Sequence, residues 1–138
     1  MTKEKIEQFK TNYQELYGEE LAVALSNTPN GDSLKEEYFI NRIERLIYTL
    51  IKKTSPTFDP TNLSEYQEEN IWNAMLEQAY YTINVGDFTI FSGVDFSNNS
   101  MMDNKALKEK IYSSFAIDIL KSSGLLYVGI RRGGNFGY

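Results

Sequence analysis

Apolar residues recur at helical spacing in four stretches of the chain, and polar breaks separate them. In the first, Ile6, Phe9, Tyr13, Leu16 and Tyr17 form one face; Thr2 is placed to cap this helix and Gly18 to end it. The short apolar stretch from Leu21 to Leu25 either extends it or starts another helix, before a break at Asn27-Thr28-Pro29-Asn30-Gly31-Asp32. Ser33-Leu34-Lys35-Glu36 has capping-box spacing and predicts a second helix to about Lys53. Phe39, Ile43, Leu46, Ile47 and Leu50 make its stripe, and Tyr38, Ile40 and Ile51 widen it. A helix apolar over so much of its girth is either central to the fold or covered by a partner.

Pro56 and Pro60 close that helix and stiffen the link to a third, for which Asn62 or Ser64 is the cap. Ile71, Trp72, Met75, Leu76, Ala79, Tyr80 and Ile83 fit the helical template, and Val85-Gly86-Asp87 ends it. Residues 87–103 read as a long packed loop with room for a short strand. Asn104 caps a fourth helix, predicted from Lys105 to about Ser123, with Leu107, Ile111, Phe115 and Ile119 spaced by four and flanked by Tyr112, Ala116 and Leu120. Gly124 is its natural end. The expectation is an all-α fold, a small bundle of about four helices over residues 1–124, followed by an extended, β-prone C-terminal arm over residues 125–138. A chain ending at Gly124 is then expected to keep a folded body.

The arm changes the charge picture. The chain of 138 residues carries a net −5, yet residues 121–138 hold three bases (Lys121, Arg131 and Arg132) and no acid, leaving −8 on residues 1–120. An acidic body argues against a broad nucleic-acid face. There is no cysteine and no histidine, which removes disulfides, thiolate chemistry, the usual general base and the commonest metal ligand together. No apolar run approaches the roughly 20 residues that span a bilayer. The opening residues Met1-Thr2-Lys3-Glu4-Lys5-Ile6-Glu7 do not read as a signal peptide. The sequence is therefore expected to be non-enzymatic, intracellular and without cofactor or membrane partner.

Candidate chemistry adds little. Asp95, Ser97, Asn99 and Asp103 match part of a calcium-loop template, but Ser100 stands where glycine is needed and Ala106 where glutamate is needed. Carboxylate pairs of the glycosidase kind arise by chance among 19 acids. The glycine-rich end lacks a P-loop's Gly-Lys-Ser/Thr and a following helix. Arg131-Arg132-Gly133-Gly134 with Phe136 and Tyr138 is one unit of an Arg-Gly-Gly segment, a pattern that binds nucleic acid through many copies. The apolar run Leu125 to Ile130 can fold back as a hairpin or add to a sheet edge on another protein. The candidate protein-binding residues are Tyr127, Val128 and Ile130 for strand pairing, Arg131 and Arg132 for an acidic partner surface, and Phe136 and Tyr138 as end anchors.

Ala74-Met75-Leu76-Glu77-Gln78-Ala79-Tyr80-Tyr81, then Gly86-Asp87 and Ser92-Gly93, resembles the third-helix region of tailed-phage head–tail connector proteins, also called adaptor or head-completion proteins. Gly124-Leu125-Leu126-Tyr127-Val128-Gly129-Ile130-Arg131 is similar to their closing segment. The likeness covers residues 34–132 in outline, and the first helix is longer than the family's. It implies a structural protein of the virion neck, made in the host cytoplasm, that forms a ring (by resemblance a dodecamer) beneath the portal protein. The arm docks on the portal, loops at the other end meet a downstream tail or stopper protein, and DNA passes as cargo. The rival readings are a small helical module of regulatory or antitoxin type that binds one partner, and a nucleic-acid-associated protein using its basic tail.

Overall fold

Side-chain caps start three of the helices and glycines close two in the computed structural model of the chain, which describes residues 1–27, 35–84 and 111–126. Helix α1 spans Lys3–Tyr17: the Thr2 hydroxyl accepts from the Lys5 N–H at 3.2 Å, and Gly18, at φ +72°, closes the last turn by donating to the Gln14 carbonyl at 2.8 Å. Helix α2, Leu21–Ser26, is separate and buries Leu21, Ala24 and Leu25. Helix α3 spans Glu36–Thr54, with Glu36 and Glu37 in its first turn and Lys52 and Lys53 in its last, each favourable to the helix dipole. It starts after Lys35, and the expected Ser33 cap lies outside the described residues.

Helix α4 spans Glu65–Asn84, and its cap is Ser64. The Gln67 N–H donates to Ser64 Oγ at 3.1 Å while the Ser64 N–H donates to Gln67 Oε1 at 3.2 Å, a reciprocal capping box. Helix α5 spans Ser114–Ser122. It ends in a Schellman turn: Gly124, at φ +77°, donates to the Lys121 carbonyl at 3.1 Å, and Leu125 donates to the Leu120 carbonyl at 3.0 Å.

The fourth predicted helix does not run unbroken to Ser123. It is interrupted at Tyr112 and Ser113, and Ser113 caps α5 by accepting from the Ala116 N–H at 3.3 Å. The start predicted at Asn104 and Lys105, and Leu107, lie outside the described residues. The break changes which face is buried. Tyr112, Ala116 and Leu120 enter the core, while Phe115, expected inside, is 69% exposed.

All the regular structure among the described residues is helical. Helix α1 runs parallel to α4: Phe9 meets Trp72 edge-on at 5.3 Å, and further along Tyr17 stacks on Tyr80 at 4.3 Å. It runs antiparallel to α3, with Lys10 bridging to Glu36 at 3.6 Å. Helix α4 is the hub, packing on α1, α3 and α5. Ala74 and Ala79 on it are fully buried, and their small side chains let neighbouring helices approach. Phe39, Ile40, Ile43, Ile47 and Ile51 of α3 are fully buried, so the breadth of its apolar face serves the core. Tyr38 is the exception, at 46% exposed. Leu125 and Leu126 are also buried in this core, so the helical body continues to at least Leu126. None of the helices among the described residues is long and apolar enough to cross a membrane.

Candidate protein-binding surfaces

The seven residues expected to bind a partner, Tyr127, Val128, Ile130, Arg131, Arg132, Phe136 and Tyr138, lie outside the described residues, as do the calcium-like positions Asp95 to Asp103. What the described residues define is the end of the body from which that segment departs, and the surfaces around it.

Buried Gln78 determines the shape of that end. Its Nε2 donates to the Ile111 carbonyl at 2.8 Å and to Thr82 Oγ1 at 3.0 Å, while its Oε1 accepts from the Ser113 N–H at 2.8 Å. One amide thus supplies both a donor and an acceptor to backbone groups released where the helix breaks. The break turns α5 so that Ala116 and Leu120 face α4, and Phe115 is left outward with half-buried Ile119 one turn on. The sequence carried a signal for this in Ser113-Ser114 within an apolar run, since serine favours a cap over a helix interior.

Two neighbouring hollows share Leu63, and the smaller reaches Gly124 and Leu125. A cleft of about 260 Å³ is lined by Ser55, Asn62, Leu63, Gln67, Gly124 and Leu125. Leu63 is also a wall of a larger groove, about 630 Å³, between the starts of α1 and α4 and the middle of α3. The apolar side of this groove is Tyr48, Leu63, Ile71, Trp72 and Met75. Glu44, Glu65, Glu68 and Glu69 line it as well, against Lys5 and the Met1 ammonium, which bridges Glu44 at 3.3 Å. Lys5 lies 5.6 Å from the centre of the Trp72 ring, whose Nε1 donates to Asn12 at 2.9 Å. Burial, then the charges of Glu44 and Glu68, push the Tyr48 phenol above its ordinary value.

Between α1 and α3, a hollow is lined by Lys3, Lys10 and Lys35 together with Glu7, Glu36 and Glu37. Lys10 is held 2.9 Å from Glu7, a hydrogen bond that raises its pKa, and it also reaches Glu36. At the far end of α1, Tyr17 donates to Glu77 Oε2 at 2.6 Å; its ring stacks on Tyr80 and is tilted against Tyr13. Burial and that bond to Glu77 raise the Tyr17 pKa, which keeps the phenol neutral. Leu16, expected on the buried face, is 60% exposed beside this stack in sequence. Among the described residues no group of three or more carboxylates is arranged to hold a metal ion.

No family model matches the chain, and neither a curated protein nor a solved structure is similar to it.

Proposed function

We propose that the chain is a non-enzymatic assembly protein, and specifically a head–tail connector of the virion neck. One observation carries the assembly reading. Helix α5, whose inner face is sealed into the core, presents Phe115 to solvent at 69% exposure in its first turn, on the last helix before residues 127–138. A large aromatic side chain held outward on a well-packed helix is the kind of anchor that protein interfaces use. The narrower connector reading rests on the resemblance of Ala74 to Tyr81 and of Gly124 to Arg131 to that family. In it, copies of the chain form a ring, Tyr127, Val128, Ile130, Arg131, Arg132, Phe136 and Tyr138 dock on the portal protein, and a tail or stopper protein joins at the other end. Modest individual contacts suffice, because copies held in one ring raise each other's effective concentration.

The test is capture from a phage-producing lysate by the full chain, by Phe115→Ser and by Arg131→Glu/Arg132→Glu, followed by electron microscopy of the eluate. The connector reading expects portal-like rings with the full chain and their loss with both variants. Capture of a single small partner without rings favours the one-partner helical module. Retention of nucleic acid that weakens steeply with salt favours the basic-tail reading.

A further inference from the structure

The groove between α1, α3 and α4 matches a ligand that the same chain supplies. Its lining is aromatic and aliphatic; the Met1 ammonium bridges Glu44 at 3.3 Å, and the three glutamates of α4, Glu65, Glu68 and Glu69, share the groove with Lys5. Such a surface suits a segment that brings cations and aromatic rings together, because guanidinium groups pair bidentately with carboxylates and stack on aromatic faces. Residues 127–138 have that composition: Arg131 and Arg132, then Phe136 and Tyr138, and no acidic side chain. The position of the exit supports the match. Leu125 and Leu63 line the same cleft, and Leu63 also walls the groove. The 12 residues after Leu126 could span up to roughly 40 Å if extended, enough to pass the cleft at Leu125 and reach the groove on the other side of Leu63. Lys5 over the Trp72 ring shows that this aromatic face already accommodates a cation.

We propose that this groove is the seat of the chain's own C-terminal segment, with Arg131 and Arg132 on the glutamates of α4 and an aromatic residue of the end against the half-buried Trp72. The association is intramolecular and electrostatically weighted. On the connector reading, docking on a portal would first have to vacate the groove; the seat itself concerns the isolated chain and stands or falls without that reading.

Trp72 is the chain's sole tryptophan, so its emission reports the groove directly. The experiment compares the full chain with Arg131→Glu/Arg132→Glu, with Glu68→Arg/Glu69→Arg, and with the four changes combined. It measures Trp72 emission and quenching by acrylamide, a neutral quencher that the charge changes do not attract, with circular dichroism to confirm equal helicity. The expected result is a red shift and greater quenching in each double variant, and return toward the parent when the charges are exchanged together. In the parent the protection is independent of protein concentration and declines in high salt. Equal emission and quenching in the parent and the Arg131→Glu/Arg132→Glu chain overturns the proposal. So does protection that grows with protein concentration, which would make the occupant a second copy. Loss of rings in the lysate experiment with Trp72 behaviour unchanged would leave the arm a docking element without this seat.

Discussion

At the scale of single residues, Gln78 has the most consequential polar side chain in the core. Replacing it by leucine keeps the volume but strips partners from the Ile111 carbonyl and the Ser113 N–H. A buried backbone group left unpaired costs about 1–3 kcal/mol, so Gln78→Leu should lose about 2–4 kcal/mol in urea unfolding. Gln78→Glu sharpens the point. A carboxylate could accept from Ser113 but would oppose the Ile111 carbonyl unless protonated. Its folded pKa should therefore lie above the unfolded value of about 4.3. The sign follows: this variant is close to the parent below that value and loses stability as pH rises through its raised pKa, which urea titrations at several pH values would read. The tyrosines act at the other end of the scale. Burial pushes Tyr13 and Tyr112 from 10.0 up to about 12. Their neutral forms fit the fold, so their contribution is intact below pH 10.0 and is lost as pH rises toward about 12. Ultraviolet titration of tyrosinate should show a late-ionising group whose appearance coincides with loss of helical dichroism.

At the scale of elements, α5 separates two assignments of the inner face. Leu120 is fully buried and Phe115 is 69% exposed. Leu120→Ala should cost about 2–5 kcal/mol, the range for truncating a core leucine. Phe115→Ser should change stability by no more than about 0.5 kcal/mol, as exposed positions do. The opposite order in chemical denaturation would restore the Ile111, Phe115 and Ile119 face to the core. Sequence periodicity pointed to that face because it assumed one continuous helix. Thr2, Gly18, Ser64 and Gly124 were readable as helix ends because each end is made by residues within a few positions. The interruption at Ser113 was not, because a serine inside an apolar run fits either a helix or a cap. The choice between them is stabilised by Gln78, which approaches from α4. Likewise the central place of α4 could not be read from its apolar pattern alone, since what makes it the hub is which helices return to meet Ala74 and Ala79.

At the scale of the whole molecule, the charge contrast between body and tail was legible as composition, but the groove was not. Its walls come from α1, α3, α4 and the loop carrying Leu63, so no window of sequence contains it. The β-prone and basic character of residues 127–138 sets them apart from the body, and Gly124 marks the end of the last helix. Burial does not stop at that glycine: Leu125 and Leu126 are in the core. They follow the Schellman turn directly, and the Leu125 N–H satisfies the Leu120 carbonyl. A chain ending at Gly124 forfeits that bond and two buried leucines, each worth about 1.5–3 kcal/mol of apolar burial. Against a total stability of about 5–15 kcal/mol for a domain, this removes a large share. Thermal melts followed by circular dichroism should therefore show the chain ending at Gly124 melting well below the one ending at Leu126, with the latter close to the full chain. Equal midpoints for the two shortened chains would mean that Leu125 and Leu126 add nothing to the core and that the arm begins where the last helix ends. A fall already present in the chain ending at Leu126 would mean instead that residues 127–138 stabilise the body, as a segment seated in the groove would.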